Sequence, residues 1–170
     1  YVDALLELIR EMKRYDHAPD QLAALAERPD ALLPRRTLAL EDKLHDLQLI
    51  YGEYERLLAS SYFDGDDMFP LAADKLAESP TVRRTEYWID GFHGFTPQEM
   101  KLVEGLMRFG AGVRLTLCLD RPYGPGESPH ELDLFHPTAV TMSKLRQQAD
   151  ELQIPVLETV RLPDPASGRF

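Results

Sequence analysis

The chain has 170 residues, 44% of them hydrophobic, and its 19 basic against 29 acidic side chains give a net charge of -10. That length and apolar content suffice for one domain, or for one domain with an attached subdomain. The negative balance repels a phosphate backbone unless basic groups gather on one face, and the arginine pairs Arg35-Arg36 and Arg83-Arg84 come nearest to such a gathering.

The single cysteine, Cys118, rules out an internal disulfide or a cysteine-based metal cluster within the chain and suits a reducing cytosol. Its place in an apolar strand pattern predicts a small core residue. No stretch reaches the ~20 apolar residues that cross a bilayer, and no charged-then-apolar leader opens the chain. A soluble, cytoplasmic protein without a membrane partner is therefore expected.

The opening run YVDALLELIREMKRY places Val2, Leu5, Leu6, Ile9 and Met12 on one helical face. Neither an initiator methionine nor a cap precedes it, so we expect a piece of a longer protein. HAPDQLAALAERPD predicts a short helix entered through Pro19 and Asp20 and stopped before Pro29. From Thr37, read as an N-cap, apolar residues recur at Leu40, Leu44, Leu47, Tyr51, Tyr54 and Leu58. Spacings of four and three make a seam of period near 3.5, suited to lying along another helix, and Ile50 and Leu57 widen it. DDMFPLAADKLAES predicts one more helix, with its acids at the N-terminal end and Pro70 near the first turn. About residues 1–80 should thus form a helical unit.

From Thr85 the period changes. EYWID is short, aromatic and β-branched, as a buried strand should be. In TPQEMKLVEGLMRFGAG, Thr96 is placed as N-cap, Pro97 as the first helical residue and Glu99 three positions after the cap, which together make a capping box. That helix should bury Leu102, Val103, Leu106 and Met107 and end at Gly110 or Gly112. VRLTLCLD predicts a second buried strand ending on Asp120, and strand, helix and strand make a right-handed parallel crossover. After a loop rich in proline and glycine, TAVTMSKLRQQADELQIPVLETVRL predicts a helix and a third strand. About residues 81–165 therefore read as an α/β layer structure with a short tail over 166–170, and Asp90 and Asp120 stand at the carboxyl ends of two strands, where open parallel sheets bind ligands.

Asp90 admits three readings. It bonds turn amides, or it works as an acid or base with His93, Glu99 or Asp120, or it organises magnesium for a nucleotide hydrolase. The last needs a phosphate loop, and G-x-x-x-x-G-K-S/T is absent, while the residue after Asp90 is Gly91, which cannot polarise a water. The histidines His17, His45, His93, His130 and His136 lack the i, i+4 pairing of a zinc protease. Phe92 and Phe95 bracket the turn, and either packing beneath it or stacking on a partner or a base suits them; their spacing leaves room for the two to point differently. Two further readings remain: a small magnesium-dependent hydrolase using Asp90 and Asp120, and a scaffold that docks another subunit through the Tyr51 seam.

YWIDGFHGFTPQEMKLVEGLM, with LEDKLHDLQLIYGEYERLL before it and VRLTLCLD and HELDLFHPTAVTMSKLRQQADEL after it, resembles the AddB subunits of bacterial AddAB (RexAB-type) helicase–nucleases. DGF-x-x-FTPQE is the most specific part and the KL-x-D-x-x-x-IY helix the next. The resemblance implies an internal fragment of a double-strand-break repair and recombination enzyme. The fragment would be part of a P-loop (RecA-like, superfamily-one helicase-like) three-layer parallel-sheet domain carrying an inserted all-helical subdomain. In working helicases of that type the strand acid is followed by a glutamate, and the next strand ends in an acid and a glutamine. Asp90 takes the place of the first acid and Gly91 that of the glutamate; Asp120 takes the second acid's place, and the following RPYGPG lacks the glutamine. The resemblance thus implies a non-catalytic segment with no cofactor of its own. Its DNA contacts would come from Phe92, His93, Phe95, Arg83 and Arg84, and its partner would be an AddA-like subunit. ATP with magnesium and an iron–sulfur cluster would belong to the longer parent, outside this chain. The missing first strands would leave sheet edges to be paired, covered or left exposed.

Overall fold

A computed structural model describes residues 1–27, 38–61, 65–123, 127 and 129–162. They contain α1 (Val2–Arg14), α2 (Pro19–Glu27), α3 (Leu38–Ser61), α4 (Met68–Leu76), β1 (Glu86–Ile89), α5 (Pro97–Phe109), β2 (Gly112–Leu115) and α6 (His136–Glu151), with short 3-10 turns at Gly65–Asp67 and Val82–Arg84. The expected cap Thr37, the stop at Pro29, Arg35-Arg36 and the tail 166–170 lie outside the described residues. Two compact units emerge: Tyr1–Ser79 with Thr96–Val103, and Pro80–Phe95 with the described residues from Glu104 onward.

The first unit is helical. Its core is Ile9 and Met12 of α1, Leu22 of α2 and Tyr51 of α3, with Leu5, Leu47 and Tyr54 packed against them. The 3.5-residue seam therefore faces this core around Tyr51, but Ile50 and Leu57 do not widen it and stand 41% and 53% exposed. Tyr51 donates its hydroxyl proton to the His17 carbonyl at 3.1 Å, which ties α3 to the chain just beyond α1. Burial, reinforced by the nearby Glu55 carboxylate, pushes its pKa up to about 12.

Lys13 is the unit's unusual residue. Its side chain is 3% exposed, yet the ammonium lies 3.1 Å from Glu55 of α3 and 2.7 Å from Asp67, which precedes α4. Its charge also stands 5.8 Å from the centre of the Tyr54 ring. One cation thus joins three segments far apart in sequence. Asp67 makes no side-chain cap bond to α4, so the expected role of these acids at that helix start is met here by a salt bridge instead.

The second unit holds a sheet of two parallel strands, in the register Glu86↔Gly112 to Ile89↔Leu115. This is the predicted strand–helix–strand order with α5 between, and the mixed helix and strand content is that of an α/β unit. The burial differs from expectation. Glu86 and Trp88 face outward on β1 and Arg114 does so on β2, with Trp88 71% exposed, so only one face of the pair is covered. On that open face Arg114 pairs with Glu86 and lays its guanidinium 4.9 Å from the Trp88 ring.

The second strand also stops early. Beyond Leu115 the neighbouring strand has ended, and Thr116 keeps a single ladder bond, from its N–H to the Ile89 carbonyl at 3.0 Å. Without a partner, residues 116–119 are not strand, and Cys118 is exposed rather than in the core. The third strand does not form either: residues 152–162 carry no strand, and Val156, Leu157, Val160 and Leu162 are exposed. A strand exists only by pairing, and Pro155 removes one donor from this segment.

Replacing Lys13 by alanine leaves Glu55 and Asp67 facing each other with their cation gone. Because both acids are about one-third exposed they rehydrate in part, so the expected loss is about 2 kcal/mol, below the ~3–5 kcal/mol of a wholly buried pair. Urea unfolding of Lys13→Ala against the parent chain measures it.

Candidate functional site

The turn between β1 and α5 is built from residues 90–99. β1 ends at Ile89, and Asp90 accepts a hydrogen bond from the Thr116 hydroxyl just beyond β2. The acid therefore links the carboxyl ends of the two strands, a partner different from the turn amides that sequence alone suggests. Gly91 follows with φ of 82°, in the left-handed region where a side chain is strained. The backbone thus turns directly after the acid.

Phe92 and Phe95 stack on each other, with ring centroids 5.1 Å apart and planes 25° apart. The two rings do not diverge. Phe92 is the outer member, 43% exposed, and Phe95 is half-buried beneath it. His93 is exposed, and its carbonyl lies 3.1 Å from the Thr141 hydroxyl of α6, whose one proton it shares with the Pro137 carbonyl at 2.9 Å. Gly94 sits against the same hydroxyl, 3.4 Å from where a Cβ would stand. The loop is thereby held to α6 from behind while Phe92 and His93 face solvent.

The capping box is complete. The Thr96 N–H donates to Glu99 Oε2 at 2.8 Å, and the Glu99 N–H donates to Thr96 Oγ1 at 3.3 Å. Glu99 is committed to the helix start, which removes it as a general base for Asp90. At the far end α5 finishes at Phe109, and Gly110 follows where a Cβ would be 2.6 Å from the Leu106 carbonyl and 3.2 Å from the Tyr87 ring, so a side chain would not fit there.

Asp120 is engaged elsewhere. It accepts the Tyr123 hydroxyl at 3.3 Å, and its carbonyl accepts from Arg161 at 3.4 Å. Tyr123 is 2% exposed, with the Arg121 guanidinium 4.4 Å from its ring centre and its carbonyl bonded by Arg146. Burial, then the Asp120 charge, raises the Tyr123 pKa above its ordinary value. This latch of Asp120, Tyr123, Arg146 and Arg161 was not legible in the sequence, where Tyr123 falls within a loop rich in proline and glycine. Arg83 and Arg84 are exposed on the 3-10 turn before β1, and Arg84 donates to the Pro80 carbonyl at 3.3 Å. Among the described residues no group of three or more His, Cys, Asp or Glu side chains is placed to hold a metal ion. No helix among them is long and apolar enough to cross a membrane.

Fold and turn together define an α/β unit with a parallel strand–helix–strand crossover, its first strand ending in an acid and a left-handed glycine, in one chain with an all-helical unit. The model of the family described as ADDB, N-terminal, matches residues 1–170. The B subunit of the ATP-dependent helicase/deoxyribonuclease of Bacillus mycoides (strain KBAB4) is 37% identical over 163 residues, which are 95% of this chain and 14% of that protein. The proteins of the same name from Bacillus cereus (strain ATCC 10987 / NRS 248) and Bacillus anthracis match at 37% over 163 residues with the same coverage. The chain belongs to the AddB N-terminal family, and it spans 14% of the length of these relatives.

Two substitutions test how the turn is held. Thr96→Ala should cost about 1 kcal/mol through the lost cap, and Gly91→Ala about 1–2 kcal/mol through a left-handed side chain. Both are read by chemical unfolding of the chain.

Proposed function

We propose that this chain is a non-catalytic, DNA-contacting and partner-docking section of an AddB-type helicase/deoxyribonuclease subunit that acts in double-strand-break repair and recombination. In this reading the second unit is the later part of a P-loop, RecA-like domain, and the helical unit is inserted into it. The observation that carries the reading is the turn at Asp90. Its carboxylate is taken by the Thr116 hydroxyl, and the residue that follows is a glycine at φ 82°, so no carboxylate stands beside it to activate a water. Nucleotide hydrolysis needs a metal-organising acid and a water-activating group side by side, and at this turn the acid is followed by a glycine.

Contact with DNA would then run through the loop that this retired turn presents. Phe92 offers an exposed aromatic edge already stacked on Phe95, with His93 beside it and Arg83 and Arg84 on the turn before β1. A base stacks on such a surface without sequence preference. The net charge of -10 keeps that contact weak outside a larger complex with an AddA-like partner.

The isolated chain should show no steady-state ATP hydrolysis. A signal that disappears in Asp90→Ala would overturn the reading. Single-stranded DNA should bind in the micromolar range or weaker at physiological salt, and Phe92→Ala should weaken it by about 1–3 kcal/mol; nanomolar binding by fluorescence anisotropy would contradict the electrostatic part.

A further inference from the structure

Thr141 lies on the covered side of α6, 5% exposed, on the same helix as the buried Thr138, Ala139 and Met142. A buried hydroxyl has to be bonded, and this one stands 2.9 Å from the Pro137 carbonyl and 3.1 Å from the His93 carbonyl. The first acceptor belongs to its own helix, where a carbonyl also receives the N–H four residues on, so Pro137 does not depend on the hydroxyl. The second comes from the loop after β1, 48 positions away in the chain. Gly94 allows the loop to come this close. A Cβ there would stand 3.4 Å from Thr141 Oγ1, and a branched side chain would press on it.

The contact falls on the His93–Gly94 peptide, the midpoint of the segment from Phe92 to Phe95. A tie at that point limits the positions of both rings, which stack with centroids 5.1 Å apart, Phe92 being 43% exposed. Stacking on a base needs an aromatic face held in place, because a platform ordered beforehand loses less freedom on binding. We propose that Thr141 is a positioning residue for single-stranded DNA: it touches no base, and its hydroxyl holds the loop so that Phe92 presents its ring for stacking. This rests on the reading of the Phe92 loop as a DNA contact. Valine has the shape of threonine without the hydroxyl, so the role is assigned to one atom, Oγ1.

Fluorescence anisotropy of the full 170-residue chain, with an oligothymidylate and with an abasic oligonucleotide of the same length, separates stacking from backbone contact. Thr141→Val should weaken oligothymidylate binding about two- to tenfold and leave abasic binding unchanged. Thr141→Ser, which keeps the hydroxyl, should bind both as the unaltered chain does. Gly94→Val presses on the same hydroxyl from the loop side; it should give the same selective loss, and it carries the test if Thr141→Val does not fold. Undiminished oligothymidylate binding by Thr141→Val, an equal loss on both oligonucleotides, or an equal loss in Thr141→Ser overturns the positioning role. Failure of both valine variants to fold overturns it too, because the contact then serves the fold alone. In each of these cases the DNA reading stands as long as the unaltered chain prefers the oligothymidylate and Phe92→Ala removes the preference. If the unaltered chain binds both oligonucleotides alike, or Phe92→Ala changes nothing, the DNA reading falls and the positioning role with it.

Discussion

The hydrogen bond from the Thr116 hydroxyl to Asp90 fixes the geometry around which the second unit is arranged. It joins the carboxyl ends of β1 and β2 immediately after their last paired residues, Ile89 and Leu115. The chain then has only the residues from Gly91 to Phe95 in which to reverse, and it does so with a left-handed glycine, a stacked phenylalanine pair and a hydroxyl from α6 holding the His93 carbonyl. A carboxylate that accepts from the residue just beyond β2 ties the two strand ends together, and the glycine beside it supplies the bend.

The parts legible in the sequence were those decided within a few residues. Thr96, Pro97 and Glu99 specify a helix start wherever they occur, because both cap bonds lie inside four residues, and the bonds form as expected. The Tyr51 seam was legible for a similar reason: helical periodicity names a face before its partner is known. What failed was non-local. Trp88 and Cys118 read as core because an apolar run is indistinguishable from a strand covered on both faces, and only one face is covered here. Residues 152–162 have the composition of a strand but no neighbour to pair with. Lys13 gave no signal at all, since a lysine reads as surface until two distant acids are brought to it.

The two units balance charge in opposite ways. In the helical unit the buried Lys13 ammonium is paired with two carboxylates, so that α1, α3 and the turn before α4 are fixed by electrostatics as well as by apolar contact. In the α/β unit the pair of Arg114 and Glu86 stays outside and flanks Trp88 on the open side of the sheet. An exposed pair of this kind adds little stability. Its effect is to keep a large indole in water with a polar neighbour over its face.

Among the described residues that open face has no cover. Parallel strands are ordinarily covered on both sides, because their crossovers place helices there. Here the described chain supplies a cover for Tyr87 and Ile89 but none for Trp88, while the apolar segment beyond α6 also stays unpaired. Strands and sheet faces are satisfied by partners distant in sequence, and among the described residues none is brought to Trp88 or to the apolar positions of 156–162. The capped α5, the latched Tyr123 and the Asp90 turn instead close their hydrogen bonds among the described residues.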